Sequence, residues 1–182
     1  MKIILASASP RRKELLSQLI KDFEIIPAKG EERIKEGLAP EEVACALAEH
    51  KCDEVFESNS GALVIACDTI VVYGEKILGK PKDKADAAAT LKMLSGNKHR
   101  VITGVCMRSC KGKICTFDTT EVQFNQLSDE FIQNYVDGGS PMDKAGSYGI
   151  QDGGVVKSYS GSFTNVVGFP VELCGRIIKD LL

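Results

Sequence analysis

The sequence predicts an α/β protein built on a mixed β-sheet that is flanked by helices. In the first half of the chain, short apolar segments alternate with capped helical segments, which is typical of strand–helix–strand units. In the second half, two long segments with strand patterns follow one another directly, which indicates an antiparallel pair. The 182 residues have the length of one domain, residues 1–182, with a core of ordinary size.

The elements follow from local signals taken in order along the chain. Strands are predicted at 2–6, 22–27, 62–73, 99–107 and 113–127. Helices are predicted at 9–20, 40–57, 83–96, 128–139 and 168–182. Ser9 is a good N-cap with Pro10 at the first helical position, and Asp83 and Gly96 mark the start and end of the third helix. The charged segment 28–40, with Pro40 at or just before the start of the next helix, and the Gly-rich segment 140–154 are predicted as loops.

The net charge of −2 and the pI of about 5.8 argue against a broad nucleic-acid surface and disfavour an RNA-binding module. A local basic pocket for a small anion remains open. The N-terminal apolar stretch is short and charges follow it, so neither a signal peptide nor a membrane span is expected. We therefore expect a cytoplasmic protein.

The seven cysteines are expected to be reduced thiols, because their number is odd and no C-x-x-C pair occurs. Cys106, Cys110 and Cys115 do not have the spacing of a zinc site. We expect them to be buried and unreactive.

The segment "GEKILGKP", residues 74–81, stops one residue short of a P-loop pattern. Its inner residues are bulky, its last residue is a proline without a hydroxyl, and the next helix begins too late. A β-hairpin over 69–79 explains the same residues better, and Lys80 would lie at its end.

Several charged residues lie in apolar patterns, where charge is costly. Asp68 interrupts the apolar run 63–73, so it needs a metal, a cation or a cavity; a structural salt bridge is the alternative. Lys51 lies on the apolar face of its helix, although a lysine can extend to solvent from such a position. Arg11 and Arg12 stand in the first turn of a helix, where the dipole disfavours cations unless an anion binds; two solvated arginines are the alternative. Together these residues suggest a phosphate-rich ligand and a divalent metal.

Eight short segments, spread over nearly the whole chain, resemble the Maf family of nucleoside-triphosphate pyrophosphatases. They are "LASASPRRKELL", "EE" at 31–32, "LAEHK", "ACDTIVV", "GKP", "LSGNKHRVITGV", "PMDKAGSYGIQ" and "GSFTNVVGFP". The segment "DKAGSYGIQ" resembles the branch that acts on dTTP and UTP. The resemblance implies hydrolysis of the α–β phosphoanhydride with Mg²⁺ or Mn²⁺, and two lobes with a central cleft on an elongated mixed sheet. It also implies a homodimer in many members.

The resemblance further implies roles for individual residues. Asp68 would accept the proton of the attacking water, and Glu32, with or without Glu31, would help to hold the metal. The triphosphate would be bound by Ser7, Arg12, Lys51 and Lys80. The positions that select a pyrimidine would be Arg11, Thr69 and Gln151.

A second hypothesis is a nucleotide-binding regulator of septum formation without turnover, because the family is linked by name to that process. The set of Asp68, Lys51 and Lys80 favours an enzyme, since a pure sensor does not need the acid. Release of pyrophosphate from dTTP or UTP would separate the two hypotheses.

Overall fold

A computed structural model describes residues 1–30 and 37–182 of the chain. The strands of this part are β1 Lys2–Leu5, β2 Glu24–Ile25, β3 Ala62–Tyr73, β4 Lys76–Leu78, β5 Lys98–Ser109, β6 Gly112–Phe124 and β7 Val156–Ser160. The α-helices are α1 Pro10–Ser17, α2 Pro40–Glu57, α3 Lys84–Leu94, α4 Asp129–Asp137, α5 Phe163–Val167 and α6 Val171–Leu181. Three short 3-10 turns lie between α4 and β7, at Ser140–Asp143, Ala145–Ser147 and Ile150–Asp152.

The strands form one mixed sheet with the order β2-β1-β3-β5-β6-β7, and β4 pairs with the far end of β3. β1 is parallel to both β2 and β3, whereas the other pairs are antiparallel. The three long strands β3, β5 and β6 have 12, 12 and 13 residues and form the centre of the sheet. The predicted mixed α/β class is confirmed.

The two faces of the sheet are covered differently. On one face α2 packs over the even-numbered side chains of β3, such as Val64 and Ile70. On the other face α1 and α6 cover Ile65 in one apolar cluster, while α3 and α4 cover Val71 in another. The boundary between these two clusters falls near Thr69, so the sheet carries two lobes with a cleft between them.

Most predicted elements are present, and their caps explain where they begin. The Ser9 hydroxyl accepts a hydrogen bond from the Arg12 N–H, Asp83 accepts from the Asp86 N–H, and Ser128 accepts from the Phe131 N–H. The strand predicted at 62–73 has those bounds in the structure.

Three elements differ from the predictions. β2 has two residues rather than six, because it pairs only with Ile4 and Leu5 at the end of β1. β7 was not predicted, since it is an edge strand whose side chains are largely exposed and polar and therefore show no apolar alternation. α5 was not predicted either, since its five residues are too few for a helical pattern to be visible.

The expectation that all seven cysteines are reduced is wrong for two of them. Cys106 and Cys115 are directly opposite in the β5–β6 ladder and form a disulfide. Their pairing depends on the register of the hairpin, which spacing alone does not reveal. Cys110 lies in the turn of this hairpin and is exposed rather than buried.

None of the helices in the described part of the chain is both long and apolar enough to cross a membrane.

Candidate active site

The cleft lies at a gap in the sheet. β1 pairs with β3 only as far as Ile65, and β4 pairs with β3 only from Val71 onward, on the same side. Within the described ranges, no strand therefore pairs with residues 66–70 of β3 on that side. A cleft of about 780 Å³ opens there, between the turn that follows β1 and the 3-10 turns after α4. The gap arises because the chain leaves the sheet after Leu5 to start α1.

Eight of the nine residues predicted for the site line this single cleft. They are Ser7, Arg11, Arg12, Lys51, Asp68, Thr69, Lys80 and Gln151. The ninth, Glu32, lies outside the described residues, as does its neighbour Glu31.

Lys51 and Asp68 form an ion pair in the cleft, whereas the sequence predicted only that each charge lies in an apolar pattern. The Lys51 ammonium donates a short hydrogen bond to the Asp68 carboxylate. The two side chains are 18% and 13% exposed, so each is largely removed from solvent. A carboxylate that is this buried needs a cation nearby, and α2 supplies it from one face of the sheet. Both hypotheses for Asp68, a functional acid and a salt-bridged one, are thus compatible with this pair.

Gly104 allows α2 to lie close enough for this pair to form. It is the register partner of Asp68 on β5. A Cβ at Gly104 would lie 2.1 Å from the Ala44 carbonyl oxygen on α2, which no real contact allows. The missing side chain therefore lets the helix backbone pack directly on the strand.

Arg12 reaches the cleft from the other face and is held in a fixed orientation. Its Nε donates to the Gly168 carbonyl at 2.9 Å, Nη2 donates to the Thr69 hydroxyl at 3.2 Å, and Nη1 donates to the Ser7 hydroxyl at 3.4 Å. These bonds place a guanidinium beside the N-terminus of α1, where backbone N–H groups and the dipole favour an anion. This arrangement suits phosphate better than the alternative of two solvated arginines.

Lys80 lines the same cleft because β3 and β4 form the predicted hairpin. Tyr73 pairs with Lys76 across the two-residue turn, in which Gly74 has a φ of 60°. α3 begins only at Lys84, so no helix N-terminus follows the Gly-Lys pair as in a P-loop. The Gly146 N–H donates to the Gly79 carbonyl at 3.0 Å and ties this hairpin to the turns after α4.

Arg11 takes part in an ion pair across the cleft that the sequence did not reveal. It donates to Asp143 at 2.9 Å, and Lys144 donates to the same carboxylate at 2.9 Å. Partial burial raises the pKa of Asp143, but the hydrogen bonds from Lys144 and Arg11 outweigh it and bring the pKa to about 2. Asp143 is therefore a carboxylate at neutral pH and holds α1 to the opposite lobe.

Tyr148 forms part of the cleft wall and is supported from below by His99. The ring nitrogen His99 Nε2 lies 2.7 Å from the Tyr148 hydroxyl, and the two rings pack edge to face against Phe124. Burial lowers the pKa of His99 from 6.5 to about 4, so the imidazole is neutral at pH 7.

The sequence did not single out four residues that line the cleft or contact its lining residues: Thr103, Asn165, Gly168 and Tyr148. None carries a charge in an apolar pattern, so no physical signal in a single sequence distinguishes them. Their only signal is that they fall in the segments that resemble the Maf family.

Comparison with known proteins agrees with that resemblance. A model of the Maf-like protein family matches residues 2–181. A protein named dTTP/UTP pyrophosphatase from Thermococcus gammatolerans is 47% identical over 177 residues, which are 96% of this chain and 94% of that one. Proteins of the same name from Aquifex aeolicus and Bacillus velezensis are 45% and 46% identical, and cover 100% and 98% of this chain and 96% of their own.

A solved structure, that of the Staphylococcus aureus Ham1 protein, superposes with a TM-score of 0.58 at 13% identity and with 99% of each chain covered. This likeness concerns the fold alone. The family match over residues 2–181, together with the near full-length relatives above 40% identity, shows that the chain belongs to the Maf family.

Proposed function

We infer that the protein is a nucleoside-triphosphate pyrophosphatase that hydrolyses dTTP and UTP to the nucleoside monophosphate and pyrophosphate. The names of its relatives, at 45–47% identity over nearly their full length, support the substrate. The observation that carries the reaction is the Lys51–Asp68 pair in a cleft that is also lined by Arg11, Arg12, Lys80 and Lys144. An acid in such surroundings can move a proton beside a polyanion.

The cations around the gap support binding of the triphosphate. Arg12 is oriented by Gly168, Thr69 and Ser7, so its remaining N–H groups can be directed at phosphate oxygens. Lys80 approaches from the hairpin and Lys51 from α2, on other sides of the cleft. Charge neutralisation from several directions is what phosphoryl transfer requires.

The mechanism that we propose is an in-line attack by water on the α-phosphorus. The water oxygen forms the new bond to phosphorus, its proton passes to the Asp68 carboxylate, and the bond from the α-phosphorus to the bridging oxygen breaks. Pyrophosphate leaves with the electron pair of that bond. Lys51 holds the carboxylate in place and compensates its charge in a partly buried position.

A divalent cation, Mg²⁺ or Mn²⁺, fits this set of residues. In residues 1–30 and 37–182 no cluster of three or more metal-ligating side chains is found. Two carboxylates of these residues line the cleft, Asp68 and Asp143, and Asp143 is already paired with Arg11 and Lys144. Mg²⁺ is typically held by one or two carboxylates and by the substrate's phosphates, so Asp68 would hold it together with the triphosphate, and Glu32 would be a second ligand. When bound, the metal would neutralise charge on the phosphates.

The experiment that tests this function is the release of pyrophosphate from dTTP and UTP by wild-type protein and by Asp68→Asn. We expect the variant to lose about 10³-fold in kcat, because a positioned base contributes on the order of 10²–10⁴. Circular dichroism and the thermal midpoint check that it folds. Asp129→Asn, which alters an exposed aspartate on α4, is the matched control and should retain full activity. A folded Asp68→Asn protein with wild-type turnover would contradict the assignment.

The same assay separates the enzyme from a nucleotide-binding regulator of septum formation. Binding of dTTP or UTP without release of pyrophosphate from the wild-type protein would favour the regulator. The Lys51–Asp68 pair favours the enzyme.

We further propose that residues 1–182 act as one catalytic unit on free nucleotides in the cytoplasm, as a homodimer and without nucleic acid as a partner. The net charge of −2 supports a small-molecule substrate over nucleic acid. Light scattering after size-exclusion chromatography tests the dimer, and a gel shift across salt concentrations tests nucleic-acid binding.

A further inference from the structure

A line of hydrogen bonds runs from the cleft into the core behind Thr69. The hydroxyl oxygens of Thr69 and Thr103 are 3.0 Å apart, and the Thr103 hydroxyl lies 2.9 Å from the backbone carbonyl oxygen of Asn165. Thr103, on β5, is fully buried against α5, and these two contacts are the ones that its hydroxyl makes among the described residues. We call this line the Thr69–Thr103–Asn165 relay.

The direction of the protons in this relay follows from its inner end. A carbonyl oxygen can only accept, so Thr103 must donate its single proton to Asn165. The Thr103 oxygen can then only accept from Thr69. In any other arrangement two oxygen atoms at hydrogen-bond distance would face each other without a proton between them. The Thr69 proton therefore points into the core.

The cleft side of Thr69 consequently offers lone pairs and no proton. Its oxygen has two lone pairs, and one of them accepts from Arg12 Nη2 at 3.2 Å. The other remains for a ligand. A ligand group that contacts the Thr69 hydroxyl has to be a hydrogen-bond donor.

Thr69 lies between the Arg12 guanidinium, which donates to its hydroxyl, and an apolar wall that suits an uncharged ring. Side chains alternate along β3, so Thr69 lies on the face opposite to Asp68 and shares its face with Val71. Val71 lines the cleft there together with Val101 and Val166. This apolar wall would receive the base, whereas the reacting phosphates would lie beside Asp68.

We propose that Thr103 is a positioning residue for base selection, because its donation to Asn165 fixes the Thr69 hydroxyl as an acceptor that recognises an N–H on the base. Uracil and thymine carry a proton on N3 and satisfy this acceptor. Cytosine has an unprotonated N3, which would place a lone pair against a lone pair. This inference rests on the proposed function and adds the side-chain chemistry by which a uracil-type base is preferred to a cytosine-type base.

The direct test is Thr103→Val, which keeps the shape of the side chain and removes its hydroxyl. The Asn165 carbonyl still accepts from the Gly168 N–H at 3.0 Å, so the variant leaves no buried carbonyl without a donor. The Thr69 hydroxyl can then turn its proton toward the cleft. We expect the ratio of kcat/KM for UTP over CTP to fall about tenfold, whereas Thr103→Ser retains the relay and the wild-type ratio.

A second variant tests the acceptor without altering the core. Thr69→Val lies in the cleft wall and leaves the bond from Thr103 to Asn165 intact. We expect it to lower kcat/KM for UTP more than for CTP, and so also to lower the ratio. Wild-type UTP:CTP ratios in Thr69→Val, or in a folded Thr103→Val, would overturn the inference while leaving the proposed activity standing.

Binding of the non-hydrolysable α,β-imido analogues of UTP and CTP, measured by calorimetry, separates this inference from the proposed function. If wild-type protein releases no pyrophosphate yet binds the UTP analogue in preference, and Thr103→Val abolishes that preference, the relay is supported and the proposed function is wrong. If the two analogues bind equally to wild-type protein, the relay does not select the base.

Discussion

Replacing Gly104 by alanine should damage catalysis although Gly104 contacts no substrate. The new Cβ would lie 2.1 Å from the Ala44 carbonyl oxygen and 2.7 Å from the Cys45 nitrogen. Ordinary contact begins at about 3.4 Å, so α2 and β5 have to separate by about 1.3 Å. The clashing atoms belong to helix backbone, which cannot rotate away as a side chain can. α2 as a whole has to move.

The expected cost has a structural and a catalytic part. Overpacking of this kind lowers the free energy of unfolding by on the order of 3 kcal/mol. For a chain of this length that lowers Tm by about 6–12 °C. Because α2 carries Lys51, the ammonium would shift by a similar distance relative to Asp68. A misplacement of about 1 Å can lower kcat by about 10²-fold.

The assay combines thermal unfolding with pyrophosphate release from UTP, so that kcat and KM are obtained on protein that is folded at the assay temperature. Gly61→Ala is the matched control, because a Cβ there meets open space. We expect the control to match wild-type protein in Tm and in kcat. A Gly104→Ala protein with unchanged Tm and unchanged kcat would refute the claim that close packing of α2 positions Lys51.

Two further substitutions test the cleft and its support. The pKa of His99 is lowered by burial from 6.5 to about 4, so the stability that depends on its neutral form is complete above pH 6.5 and is lost as the pH falls toward 4. Between pH 7 and pH 4.5, the free energy of unfolding in urea should fall by about 2.5 kcal/mol more for wild-type protein than for His99→Gln. Equal decreases in the two proteins would show that His99 does not titrate this way. Arg12→Lys should lower kcat/KM by about 10²-fold and should also lower Tm, because an ammonium cannot make the three directed bonds of the guanidinium. The same exchange at the exposed Arg176 should change neither value, and an equal loss at both positions would attribute the effect to charge alone.

The sequence was most informative where a charge interrupts an apolar pattern. Asp68 and Lys51 were singled out because they stand in a buried strand and on an apolar helix face, and the cost of leaving either charge buried alone explains why the structure pairs them. Lys80 could be placed because hairpin geometry follows from short-range turn chemistry. In each case the deciding interaction is local or is dictated by charge.

The remainder depends on register and on long-range packing. The Arg11–Asp143 pair joins residues 132 positions apart, and nothing in either segment specifies the other. The disulfide of Cys106 and Cys115 depends on which residues of β5 and β6 are opposite. The relay behind Thr69 consists of neutral side chains, whose position in a strand carries no energetic signal until the packing of α5 is known.

The gap in the sheet also leaves the backbone N–H of Thr69 as a second hydrogen-bonding group at this position. The Ala6 N–H donates to the Ile65 carbonyl on the β1 side, and peptide groups alternate in direction along a strand, so the Thr69 N–H points toward the gap and not toward β5. Every amino acid except proline would keep that donor. The hydroxyl at position 69 can therefore be changed by mutation while the backbone donor that faces the gap is kept.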